Sequence, residues 1–449
     1  MLFKNWKSLV ENGNTPDLKK TREDILNILT SALDAVDPYK SVKSKFKEET
    51  FVLEKKLVDL SKYKNIYLVG FGKASVGMAQ AISDSIDVKN GVVVTNDPHH
   101  KVNDKNISTF IGGHPLSNKN SIKGTNKILK IINKCNEKDL LFVLISGGGS
   151  ALLCKPRISL EDLQLLTNLL LESGANINEI NTIRKHLSFV KGGQLVESLK
   201  CRVISLILSD IVGDPIQFIA SGPTFPDSTT FNDAKNILKK YNLWEKIPIN
   251  AKNVIKKGIK GEIIETPKSD NPIFEKVTNQ IVANNKIACK AAVDKANKLG
   301  YKGILLTTSL VGEAKEIGKF LVDKAKNYTN NQEKTVFISG GETTVKIIGS
   351  GEGGRNQEMV LSGMENLDNT DLVFASFATD GIDGKCDAAG AIADGFSYKK
   401  ASDLGLDPNK YLKENDSYNF FKKLNDMFIT GPTGSNVMDI QILIKSNYY

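Results

Sequence analysis

Apolar positions along this chain follow two rhythms. Between residues 20 and 60, TREDILNILTSALDAV spaces Ile25, Ile28, Leu29, Leu33 and Val36 by threes and fours. That spacing predicts an amphipathic helix, with Thr21 placed to cap it ahead of Glu23 and Asp24. Short apolar runs then take over at 66–69, 91–96, 108–113, 139–146 and 202–209. Helical stretches separate several of them, at 74–82, 121–135, 160–173 and 176–200. Strands that are apolar almost throughout, alternating with helices, predict a mainly parallel sheet covered on both faces.

The rhythm breaks where Pro223, Pro226 and Pro248 interrupt it, which places a domain boundary near Lys246 and predicts two domains, 1–245 and 246–449. Alternation resumes at 280–285, 303–308, 335–340, 372–379 and 437–444. The halves echo each other loosely, ISGGGS against ISGGET and LSDIVGD against ATDGIDG, but the unequal spacing argues for a shared solution and not a duplication.

Composition narrows the function classes. At 449 residues the chain exceeds one ordinary core. Its net charge of +9, from 60 Lys and Arg against 51 acids, is spread along the chain and not gathered in a tail. A diffuse basic balance steers small anions better than it marks a nucleic-acid surface. The five cysteines have no CxxC pair and no zinc-type spacing, so free thiols are expected. MLFKNWKSLVENG lacks a signal-peptide core and no run reaches the roughly 20 apolar residues of a membrane span. A soluble cytoplasmic protein with small-molecule partners, no nucleic acid and no membrane is the expectation; a homo-oligomer is compatible with the chain.

Three strings carry the chemistry: LVGFGKASVGM (68–78), LISGGGSALL (144–153) and GGETTVKIIGSGEGGRNQEM (340–359). Each runs from an apolar stretch into a glycine turn and then to Lys, Ser or Arg, the pattern by which backbone N–H groups cradle phosphate. Neither the dinucleotide fingerprint nor the Walker loop fits GFGKAS, because Ser75 stands at the third glycine position and Tyr67 five residues before Gly72. Lys73 at a helix start opposes the helix dipole unless it faces an anion. In SGGGS, Ser146, Gly147, Gly148, Gly149 and Ser150 offer N–H groups and hydroxyls to a phosphate or carboxylate. Arg184, Lys185, His186 and Lys191 crowd the helix that follows, where Arg184 can grip a carboxylate. Asp210 and Asp214, then Asp380, Asp383 and Asp387, follow strands, where carboxylates meet Mg²⁺ and phosphate. Arg355 leaves a glycine-rich loop beside Asn356 and Glu358, as a cation aimed at a transferring phosphoryl group would.

In order along the chain, GFGKAS, GGHPLS, LISGGGSALL, INTIRKHLSFVKGG, LSDIVGDPIQFIASGPTFPDST, GGETTVKI, GGRNQE, ATDGIDGKCDAAGA and TGPTGSNVMDI closely resemble the glycerate kinases that make 2-phosphoglycerate, whose C-terminal part is the MOFRL family. The match runs from about residue 20 to 444. It implies two α/β domains, an N-terminal Rossmann-like one and a smaller C-terminal MOFRL-type one, with the site in the cleft between them. It also implies ATP as donor, a divalent metal such as Mg²⁺, and D-glycerate as acceptor. Carried over, Lys73 and Arg355 are the catalytic candidates. Ser146 to Ser150, Arg184, His186 and Lys191 are then expected on the substrate, and Asp210 and Asp380 on the metal. Gly70, Gly72, Asn284, Gly340, Gly341, Glu342, Asn356 and Glu358 are expected on the nucleotide. Two rivals are a hydroxypyruvate reductase, which lacks the third glycine and a ribose-binding acid here, and a non-catalytic sugar-phosphate sensor.

Overall fold

The computed structural model describes residues 2–54, 56–329 and 333–446. It divides the chain into two compact units, Pro38–Ser209 with Asp214–Val282, and the described parts of Met1–Asp37, Asp210–Gly213 and Ala283–Tyr449. The division therefore falls elsewhere than near Lys246. That residue lies inside the first unit, where Leu243, Ile247, Ala251 and Ile255 pack against Leu166, Leu170, Ile180 and Ile183. The prolines of 223–248 mark a loop leading into a helical layer of the same unit.

The first unit is built on a six-stranded sheet. Its order is Ile107–Ile111, Asn90–Thr95, Ile66–Phe71, Leu140–Ile145, Arg202–Leu208, Val277–Ala283. Numbered along the chain this is 3-2-1-4-5-6, the doubly wound order, and the first five strands are parallel. Strand Ile66–Phe71 and strand Leu140–Ile145 are buried at every position, as their unbroken apolar composition requires. The run read at 280–285 supplies the last strand of this sheet and not the first of the second unit. A small antiparallel sheet, Phe46–Lys47, Thr50–Leu53 and Lys56–Asp59, occupies residues expected to be helical and sets Phe51 edge-on to Phe142 at 5.3 Å.

The second unit holds a mixed sheet in the order Lys302–Leu310, Thr335–Gly341, Asp439–Lys445, Leu372–Ala378, Gly390–Asp394. Only the first pair is parallel. Helices Ala314–Lys326 and Arg355–Leu367 cover one face over Phe337, Phe374 and Leu443. Helix Pro16–Ala35 belongs here as well, packed on helix Asn285–Lys298. Its cap is Thr15, whose Oγ1 accepts from Leu18 N–H; the expected cap, Thr21, is buried and donates to Asp17 O.

Candidate functional site

Strands one and four of the doubly wound sheet are neighbours that send their connections in opposite directions, so a crevice opens at their carboxyl ends. The register Phe71↔Ile145 brings the turn Gly72-Lys73-Ala74 beside Ser146-Gly147-Gly148-Gly149. The two turns are stitched together: Lys73 N–H donates to Gly147 O at 2.9 Å, Ala74 N–H to Ser146 Oγ at 3.1 Å, and Ser146 N–H to Phe71 O at 3.3 Å. Gly72 sits at φ +128, and a Cβ there would lie 2.1 Å from Ser146 Oγ. Ser146 is therefore buried and committed to the neighbouring turn, and does not present its hydroxyl to a ligand as expected. Gly70 is likewise enclosed in its strand. The Lys73 side chain is exposed, with no hydrogen bond or ion pair among the described residues.

Beyond this turn lies a cavity of about 480 Å³, with His114, Gly148, Ser150, Arg184 and Lys191 in its lining. Its charged lining is basic: Lys155 joins these residues, and no Asp or Glu reaches the wall. Arg184 is half-buried and makes no hydrogen bond or ion pair among the described residues; burial pushes its pKa down. Lys191 is 7% exposed and donates to Ser150 O at 2.7 Å and Leu153 O at 3.1 Å. Burial without a carboxylate partner pushes it down to about 8. Burial, then the nearby Lys73 charge, likewise lowers His114. A cationic wall with no counter-ion is costly unless an anion completes it.

Ser150 Oγ lies 3.2 Å from Ser221 Oγ, which donates to Asn181 Oδ1 at 2.8 Å. Ala220, Ser221 and Gly222 are all left-handed, at φ 51, 64 and 60, a run of strain that belongs with function more often than with packing. Sequence reasoning missed His114, Asn181 and Ser221. The signal for His114 was its place in GGHPLS after a strand end; Ser221 was hidden because nothing in a sequence announces a left-handed serine.

The rest of the basic cluster turns inward. Lys185 pairs with Asp227 at 3.2 Å, both buried. His186 is fully buried, edge-on to Phe231, with Nδ1 on Thr182 O at 2.7 Å and Nε2 on Glu265 at 2.9 Å. Burial would raise Glu265, but the His186 contact and the Phe231 N–H outweigh it and hold the carboxyl at about 2. His186 thus supports the helix and does not line the cavity, contrary to expectation.

In the second unit Arg355 opens helix Arg355–Leu367 and is one-third exposed. Its guanidinium forks onto Asp439, Nε to Oδ2 at 2.5 Å and Nη2 to Oδ1 at 3.0 Å, while Nη1 reaches Glu342 at 3.0 Å. Burial raises Asp439 to about 6 against the pull of Arg355. The glycine-rich run before it is anchored and not free: Gly351 N–H bonds Glu414 O and Glu352 N–H bonds Asp416 Oδ1. Asn356 and Glu358 are buried, the first taking a hydrogen bond from Ser376 Oγ and the second from Asn415 Nδ2, so neither faces a nucleotide as expected. Asn284 caps helix Asn285–Lys298. Gly340 is packed so closely that a Cβ would meet Asn285 Oδ1 at 2.0 Å, and Gly341 so closely that one would meet Leu310 O at 2.2 Å. Of that nucleotide set only Glu342 is exposed.

The strand-end carboxylates also sort themselves. Asp383 is spent: its two oxygens accept from the N–H groups and side-chain amides of Asn356 and Gln357 at the start of helix Arg355–Leu367. Asp210 and Asp380 are half-buried and belong to the same unit. Among the described residues no group of three or more His, Cys, Asp or Glu could hold a metal by itself.

Comparison with known proteins agrees with this architecture. A domain of unknown function, DUF4147, matches residues 24–256, and the MOFRL family matches residues 335–439. The glycerate 2-kinase of Pyrococcus horikoshii is 44% identical over 95% of this chain and 98% of its own length. The D-glycerate 2-kinase of Thermotoga maritima is 38% identical over 95% of this chain and 99% of its own. The crystal structure of glycerate kinase from Thermotoga maritima superposes with a TM-score of 0.85 at 37% identity, covering 95% of this chain and all of that one. The chain belongs to this two-part family, the MOFRL-type glycerate kinases.

Proposed function

We infer that this protein is an ATP-dependent glycerate 2-kinase that converts D-glycerate to 2-phosphoglycerate. The observation that carries the reading is the pair of stitched glycine turns at the sheet's switch point, with exposed Lys73 beside a cavity lined by Arg184, Lys191 and Lys155 and by no Asp or Glu. The regiochemistry rests on the relatives, which are named glycerate 2-kinases.

Arg184 and Lys191 take the carboxylate of glycerate, Ser150 contacts the hydroxylated carbons, and the N–H groups of Gly147 and Gly148 face anionic oxygens, Gly149 N–H being held by Ser146 O. Lys73 neutralises the transferring phosphoryl group, where catalysis is mostly positioning and electrostatics. Arg355 supplies a second cation, held in orientation by Asp439 and Glu342. Mg²⁺ needs only one or two carboxylates alongside substrate phosphates. Half-buried Asp210 and Asp380 suit it, while the fully engaged Asp383 does not. When bound, the cation offsets charge on the phosphate oxygens. A nicotinamide enzyme is disfavoured because Ser75, where the third glycine would stand, is buried with its hydroxyl on Gly72 O at 2.6 Å.

Phosphorus NMR of the protein with ATP, Mg²⁺ and D-glycerate tests the reading: 2-phosphoglycerate and ADP are expected, and absence of transfer removes it. Lys73→Ala should lower turnover by roughly a thousandfold with folding intact, the scale of losing one phosphoryl-stabilising cation. Near-normal turnover would take Lys73 out of the mechanism.

A further inference from the structure

The cavity is larger than a three-carbon acid requires, falling within the range of sites that enclose drug-sized ligands. Its lining combines two chemistries: the cations Arg184, Lys191 and Lys155 with the Gly148 turn, and the apolar side chains of Pro115, Leu116, Leu163 and Leu171. Gln164, Thr167, Asn168 and Leu171 recur at i, i+3, i+4 and i+7, so one face of helix Leu160–Glu172 lines the cavity, with Leu171 and the neighbouring Leu163 as its apolar positions. The helix core faces elsewhere through Leu166 and Leu170. Leu171 is 60% exposed and Leu116 39%, which leaves apolar surface standing open in a cavity whose cations have no carboxylate in the lining.

We propose that this cavity binds amphipathic monocarboxylates, 2-hydroxy acids whose third carbon carries an apolar group, with the carboxylate on Arg184 and Lys191 and the tail against Leu116, Leu163 and Leu171. Such ligands compete with glycerate. The inference deepens the kinase reading and rests on its assignment of the carboxylate end. Charge complementarity selects the head, since three cations and no Asp or Glu line the cavity, and the apolar lining side chains Pro115, Leu116, Leu163 and Leu171 select the tail.

Titration calorimetry with D-lactate, D-3-phenyllactate and D-gluconate, each also run as a competitor in the glycerate assay, decides it. Burying a phenyl ring should make phenyllactate bind at least roughly tenfold more tightly than lactate. Leu171→Asp, at an exposed position where folding is not at risk, should erase that gain. Equal affinities, a gain for gluconate and not phenyllactate, or no detectable binding would each overturn the proposal. Phosphorylation of glycerate without a phenyllactate gain leaves the kinase reading standing and this inference refuted; phenyllactate binding without glycerate turnover does the reverse.

Discussion

Lys191 sets a pH limit that a surface lysine would not. With its pKa near 8, it carries its charge below that pH and sheds it as pH rises through 8. In the free enzyme kcat/KM for glycerate should therefore fall by roughly three- to tenfold between pH 7 and 9, while Lys191→Met is lower and flat over the same range. Stability moves oppositely. A lysine whose pKa is depressed on folding costs stability while charged, and the cost is relieved as pH rises from 8 towards its ordinary 10.5. Thermal melts across that window separate lost binding from unfolding, and a parallel drop in Lys191→Met would shift the effect to another group. At this scale the sequence was half legible. Lys73, Arg184 and Lys191 stood out by type and spacing, because uncompensated cations beside glycine turns are rare. Ser146, His186 and Asn356 were misread because residue type does not say which way a side chain points.

Helix Arg355–Leu367 starts on a borrowed cap. Gly354 supplies no side chain, so Asp383, from the turn after strand Leu372–Ala378, accepts four hydrogen bonds at the helix N-terminus, where a carboxylate also meets the positive end of the dipole. Asp383→Ala removes the cap and strands the buried Asn356 amide, while Gln357 Nε2 keeps Cys386 Sγ, which should cost about 2–4 kcal/mol in urea unfolding. Because Arg355 is the first residue of this helix, turnover should fall in the surviving folded fraction, and Asp383→Asn should recover part of both losses. A change below about 0.5 kcal/mol, the level of an ordinary surface substitution, would show that the cap does not hold the helix. ATDGIDG had looked like metal chemistry and proves partly to be capping chemistry. The alternating strands and helices were readable because parallel strands buried on both faces must be apolar throughout. The strand Gly390–Asp394, whose only large apolar residue is Ile392 among Gly, Ala and Asp, was not, and the three short strands of 46–59 were absorbed into an expected helix.

The second unit is closed by residues drawn from both ends of the chain, and one buried arginine joins them. Arg22, 1% exposed on helix Pro16–Ala35, reaches Asp394 at 2.6 Å and Asp426 at 2.6 Å, partners 372 and 404 residues away. Separations of that size leave no local pattern, so in the sequence Arg22 is one polar position on an amphipathic helix. Burial would lower its pKa, but the two carboxylates outweigh that and hold it above its ordinary value. Replacing a buried pair outright with apolar groups can be neutral, whereas removing one member strands the others. Arg22→Met leaves two buried carboxylates facing each other without a cation and should cost about 3–5 kcal/mol in urea unfolding near pH 7. The deficit should shrink as pH falls towards 5. With Arg22 gone, burial and mutual repulsion raise the carboxyl pKa values in the folded variant above those of the unfolded chain, so the folded state takes up protons first and regains stability on acidification. A deficit below 1 kcal/mol, or one that widens in acid, would mean that helix Pro16–Ala35 is held by its apolar face on helix Asn285–Lys298 and not by this triad.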